Sequence, residues 1–218
     1  EISECLVGSE MCIRDRGRVV SGVSILEALR DTYGFKVRAV SYLQGNEYLK
    51  TKGFELLNEA TSFDYCSIGL LPTNQLAKDI YTLIKEFCPD IIIIDGEPLM
   101  IQSLRISYPN IKLVTLLNPS DVENEVNDKE AMDYFNASFQ MADLAIIHGN
   151  RKVETKRNYK HIISIPTIIR REVIEIKRKP TNTIYCILGG GTLNVSSLFY
   201  DSTIPVSYTH LTLPTNSL

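Results

Sequence analysis

At 218 residues with a net charge of −3 and 22% charged side chains, the chain is long enough to bury one good core. It is too nearly neutral to point to nucleic acid or an anionic membrane as a standing partner. Its apolar runs are far too short to cross a bilayer and no signal peptide is visible. Cys5, Cys12, Cys66, Cys88 and Cys186 show neither disulfide pairing nor zinc-ligand spacing, so no metal is expected and a reducing, cytoplasmic setting is.

Both ends read as foreign to the fold. Met11 to Arg16 is what a common transposase library adapter encodes when read as ATG TGT ATA AGA GAC AG plus one base, and Leu6 to Glu10 continues it upstream. Val206 to Thr215 is the same adapter on the opposite strand, GTC TCT TAT ACA CAT CTG ACG CTG CCG ACG. Residues 1–16 and 205–218 are therefore set aside as adapter-encoded, as a cloning scar would be. Cys5 and Cys12 go with them, and the net charge of the remainder is about −1.

In the remainder, Gly17 to Gly22 reads as a glycine-bracketed loop and Val23 to Tyr33 as a helix with Ile25, Leu26, Leu29 and Tyr33 on one face, stopped by Gly34. Phe35 to Leu43 is a strand with Val37, Ala39 and Ser41 alternating. In a doubly wound sheet that loop follows a first strand, which is expected to be missing here. Gln44 to Lys52 is a short helix, and Phe54 to Leu57 and Phe63 to Ile68 are short strands. A helix from Asn74 carries a stripe of Leu76, Ile80, Leu83, Ile84 and Phe87 and stops at Pro89.

Asp90 to Ile94 is the central strand: four consecutive β-branched residues, bounded by Pro89 and by Asp95-Gly96-Glu97-Pro98, read as buried on both faces of a parallel sheet. Ligands bind beyond the carboxyl ends of such strands, which makes Asp95 and Glu97 the leading candidates for chemistry. A helix through Met100, Ile101 and Leu104 follows, then a strand from Ile111 to Leu117 that ends in the turn Asn118-Pro119-Ser120-Asp121. The helix from Lys129 turns Met132, Phe135 and Phe139 inward. Strands Asp143 to Ile147, closed by His148-Gly149-Asn150, and His161 to Ile165, closed by Pro166, complete the pattern. Strand and helix alternate throughout, the mark of an α/β fold with a Rossmann-like, doubly wound parallel sheet.

This first domain is placed at residues 17–166, a basic linker at 167–183, and the start of a second, truncated domain at 184–204. The last opens with a strand, Ile184 to Leu188, running into Gly189-Gly190-Gly191-Thr192. Small residues between a strand and a helix let backbone N–H groups approach an anion, so these four are candidates for binding phosphate. They match neither the dinucleotide fingerprint nor a P-loop.

Ser21-Gly22 followed by Ile25-Leu26-Glu27-Ala28-Leu29, Pro89-Asp90 to Pro98, Ala142 to Gly149, and Pro166 to Arg170 followed by Ile187 to Thr192 together resemble, in order, the motifs of GT-B glycosyltransferases. The branch they resemble most includes the N-acetylglucosaminyl transferase of peptidoglycan synthesis. The resemblance implies inverting transfer of a sugar from a nucleotide-diphosphate sugar, a substrate rather than a cofactor, to a carbohydrate or lipid-linked acceptor hydroxyl. That chemistry needs a base for the acceptor proton and donors for the leaving diphosphate.

By this resemblance Gly17, Arg18, Ser21 and Gly22 form the acceptor-side loop, Asp95 and Glu97 are the candidate bases, Gly189 to Thr192 hold the donor phosphates, and His148 is a ligand contact. Arg18 stands where the family often has a His, and Ser21 where it has an Arg. Asp95 read without the family is a helix cap, Glu97 a partner for a linker arginine. A sugar-nucleotide epimerase or hydrolase of the same fold, and a non-catalytic binding module, stay open. The parent protein would work in the cytoplasm, at the inner face of the membrane where its acceptor is a lipid. The chain alone is expected to be inactive.

Overall fold

The apolar runs become the strands of one sheet. In chain order the elements are β1 (Glu4–Ser9), α1 (Gly17–Asp31), β2 (Lys36–Val40), α2 (Gln44–Thr51), α3 (Leu71–Phe87), β3 (Ile91–Asp95) and α4 (Pro98–Ser107). They continue as β4 (Lys112–Leu117), α5 (Pro119–Val122), α6 (Lys129–Phe139), β5 (Leu144–His148), β6 (Ile162–Ile165) and α7 (Arg171–Ile174). The computed structural model describes residues 4–9, 17–41, 44–56, 71–96, 98–124, 128–155 and 157–177. By contacts the chain divides into two compact units, Glu1–Ile176 and Lys177–Leu218. All of the second except Lys177 lies outside the described residues, and so do the strands expected at Phe63 to Ile68 and Ile184 to Leu188.

The sheet order is β2-β1-β3-β4-β5-β6, and every neighbouring pair is parallel. The fold is therefore α/β with a doubly wound parallel sheet. The run in β3 is buried on both faces because it sits third of six. Ile92 and Ile94 join Leu113, Leu117, Ala145 and Ile147 under α3, α4 and α6. Ile93 and Leu116 join Val37 and Ala39 under α1 and α2.

The strand expected to be missing has an occupant. Glu4–Ser9, set aside as adapter-encoded, lies between β2 and β3, pairing Val7 with Ala39 on one side and Ile93 on the other. A slot between two paired strands accepts any short segment that donates and accepts main-chain hydrogen bonds, whatever DNA encodes it.

The expected glycine loop is also helical: α1 starts at Gly17 and includes Arg18, Ser21 and Gly22. Val19, Val23 and Leu26 repeat at helical spacing and are 1–2% exposed, and burial of that stripe outweighs the local preference of glycine for a turn. Tyr33, expected on the same face, follows the end of α1 and is 70% exposed. On α6 the inward stripe is Met132, Asn136 and Phe139, whereas Phe135 is 40% exposed. Asn136 tolerates burial because its Nδ2 donates to the carbonyls of Met132 (2.8 Å), Asp121 and Val122, while its Oδ1 accepts from the Tyr159 hydroxyl at 2.7 Å. Part of the basic stretch expected to be extended forms α7, where Glu172 pairs with Lys52 at the end of α2.

Candidate functional site

Strand order reverses between β1 and β3: connections from β1 run outward to β2, and those from β3 run the other way to β6. The crevice at such a switch point, beyond the carboxyl ends, is where doubly wound sheets bind ligands. On the β3 side Asp95 is the last strand residue and Gly96 follows with φ +75°. That left-handed conformation turns the chain away from the sheet so that Pro98 can open α4, and it favours glycine there.

Asp95 is fully buried. It lies in register with Leu116 of β4, which lies in register with Ile146 of β5. Side chains in register share a face, so Asp95 and His148 both stand on the α1 side of the sheet. His148 is 4% exposed. Two strand spacings and two residues separate them, which puts their backbones about 12 Å apart, too far for a direct acid–base pair. The sheet thus brings Asp95 and His148 to one face and one end without joining them. Asp95 has no exposed surface and so does not face solvent. Glu97 lies outside the described residues, as do Gly189, Gly190, Gly191 and Thr192.

The acceptor-side residues take a different place from the loop expected of them. Gly22 is buried in the seam between α1 and β2, beside a void of about 10 Å³ lined also by Val19, Val23, Leu26, Ala39 and Ser41. That volume holds at most a water. Ser21 is half-buried one residue earlier on α1.

Glycine at position 149 has a steric cause. A Cβ there would come within 2.7 Å of Pro119 Cδ, the residue that opens α5. The close approach draws the chain after β5 onto the chain after β4. There Asn118 N–H donates to the Asp121 carboxylate at 2.7 Å, fixing the start of α5. Gly149 N–H also reaches the carbonyl of Ile165, carrying the β5–β6 ladder one residue past the strand.

At the opposite end of the sheet, Asp143 ties three elements together, a role invisible in its local sequence. Its carboxylate accepts from Arg105 of α4 (2.8 Å), from Lys160 (2.7 Å) and from the Leu113 N–H of β4 (3.0 Å). Burial pushes this carboxyl up, but those hydrogen bonds outweigh it and hold it well below the ordinary carboxylate range. Burial likewise pushes the Tyr159 hydroxyl up to about 12. Both belong to the scaffold. Among the described residues no three His, Cys, Asp or Glu side chains gather as a metal site, and no helix is long and apolar enough to cross a membrane.

No family model matches the sequence, and no curated protein matches it significantly. Among solved structures the chain is similar to MurG of Acinetobacter baumannii, at 10% identity over 70% of this chain and 43% of that one, with a TM-score of 0.48. It is similar to UGT73P12 of Glycyrrhiza uralensis, solved with glycyrrhetinic acid 3-O-monoglucuronide, at 9% identity over 68% and 44%, TM-score 0.48. It is also similar to UDP-N-acetylglucosamine 2-epimerase of Rickettsia bellii, at 9% identity over 67% and 39%, TM-score 0.46. The chain spans less than half of each. Likenesses this remote assign neither activity nor substrate, and the fold stands on the strand order itself.

Proposed function

We propose that the chain is the acceptor-side part of a GT-B-type enzyme that moves a sugar from a nucleotide-diphosphate sugar to an acceptor hydroxyl. The observation that carries the reading is the switch point between β1 and β3, with Asp95 and Gly96 at its edge. It is supported by the order of sequence motifs, since three of the stretches resembling the family fall in turn on α1, β3 and β5.

In this reading Glu97 is the base that takes the acceptor proton, Asp95 is a buried polar group at the end of β3, and His148 helps shape the floor. Gly189, Gly190, Gly191 and Thr192 hold the donor diphosphate. The acceptor is a carbohydrate or a lipid-linked sugar, the latter bringing the parent protein to the inner membrane face. A sugar-nucleotide epimerase or hydrolase is the second reading. It would use the same crevice but need no acceptor.

The test begins with the source DNA, amplified outward from the codons of Gly17 and Ile204. The frame is expected to run on into a second α/β domain. The recovered protein is then incubated with a panel of nucleotide sugars, with and without acceptors, and release of nucleoside diphosphate is followed. Acceptor-dependent release supports transfer, and acceptor-independent epimerisation or hydrolysis supports the second reading. E97Q is expected to lower kcat by about 100-fold or more with its circular dichroism unchanged. Full turnover by E97Q removes Glu97 from the mechanism. No reaction with any nucleotide sugar overturns the class. The chain as it stands is expected to release none.

A further inference from the structure

Away from the switch point, beyond the carboxyl ends of β5 and β6, the chain folds around an open cleft of about 560 Å³. That volume is within the range of small-molecule sites. One wall is the stretch after His148, with Arg151 and Lys152. The other is the end of β6 and the chain after it, with Ser164, Ile165, Thr167 and Ile169. Gly149 sets the spacing of the walls, pressed on Pro119 and bonded to Ile165.

Cations elsewhere in the fold are already paired. Arg157 pairs with Asp133, and Arg105 and Lys160 pair with Asp143, all outside the lining. The two cations that line the cleft meet no carboxylate among the described residues, although Arg151 is held by a hydrogen bond to the Glu123 carbonyl at 3.3 Å. That bond uses one guanidinium N–H and leaves four to give. Opposite them, Ile165 is 36% and Ile169 53% exposed, so the second wall offers apolar surface beside two hydroxyls.

We propose that this cleft is an anion-binding site for a phosphate monoester bearing an apolar group: Arg151 and Lys152 take the phosphate, Ser164 and Thr167 donate hydrogen bonds to it, and Ile165 and Ile169 cover the apolar part. The assignment uses none of the residues given a role in the sugar-transfer reading: Asp95, Glu97, His148 and Gly189 to Thr192 lie outside the lining.

The probe is benzyl phosphate, titrated into the full chain by calorimetry. Saturation is expected at about 1 mM or tighter, weakening as salt rises, with no binding of benzyl alcohol. R151Q/K152Q is expected to weaken binding at least tenfold and K152Q alone about threefold. Both cations are exposed, so the melting temperature should hold.

Vesicles of phosphatidic acid in phosphatidylcholine separate the two sources of such a group. Binding of the soluble ester that R151Q/K152Q removes supports a free metabolite as the ligand. Cosedimentation with the vesicles alone, likewise removed, supports a lipid headgroup. Binding that the variants leave unchanged, or none to either probe, overturns the site.

Discussion

Asp143 shows how one side chain can carry several elements. It stands where α4, β4 and the approach to β6 meet, and each contributes one donor to its two oxygens. Its side chain is 16% exposed, so the pairing is only partly screened by water. Replacing it by Asn leaves Arg105 and Lys160 without a counter-charge and is expected to lower stability at pH 7 by about 2 kcal/mol.

The pH dependence has a definite sign. A carboxyl held below its unfolded value stabilises fully above about pH 4 and loses that contribution as pH falls through the lower folded value. Urea midpoints measured from pH 5 to pH 2 should fall more steeply in the wild type than in D143N. Parallel profiles would place the acid sensitivity elsewhere. Nothing in the sequence around Ala142-Asp143-Leu144 gives this role away, because two of the partners are 30 and 38 positions upstream. Asn136 is hidden for a related reason: Phe135 beside it is the more apolar residue, and only the carbonyls of α5 and the Tyr159 hydroxyl make the amide the better one to bury.

Among elements, β3, β4 and β5 were legible from sequence because each is a short apolar run bounded by Pro, Asn, Asp or Gly, and burial on both faces leaves no alternation to misread. The start of α1 was not. Glycines 17 and 22 read locally as a loop, and the stripe of Val19, Val23 and Leu26 acquires its meaning only when a sheet is there to cover it. The edge of the crevice was legible as a position, at Asp95, but not as an environment. Alternation along the strand says which face a residue takes, not whether α1 closes over it.

The chain after β5 is a case between these, since His148-Gly149-Asn150 reads as a polar strand end while the reason for the glycine lies in Pro119. Ala at 149 must displace Pro119 or bend the loop, at an expected loss of about 1–3 kcal/mol. Denaturant unfolding measures it, and the same variant should weaken any ligand of the neighbouring cleft. Gly149→Ala with wild-type stability would show that the two turns part without strain.

On the scale of the whole molecule the sheet depends on its first strand. With β1 between β2 and β3, removal of residues 1–9 separates β2 from the other four strands and opens two edges at once. The shortened chain is expected to lose its cooperative melting transition and to aggregate, as read by calorimetry and light scattering. A sharp transition at the original temperature would mean that Glu4–Ser9 is dispensable to the sheet. The slot needs a strand whichever DNA encodes its occupant, so the adapter reading of the end and the pairing of Glu4–Ser9 are statements about different things.

That strand order also sets a timetable for synthesis. The segment that lies between β2 and β3 is synthesised before either of them, and its second partner begins only at Ile91. At ordinary elongation rates of about 5–20 residues per second, one side of β1 waits on the order of 4–16 s for β3 to arrive. Until then the nascent chain carries an open, adhesive edge one strand in from the margin of the finished sheet. Crowding of polysomes, more than the stability of the finished sheet, would then govern how much of the protein a cell can recover folded.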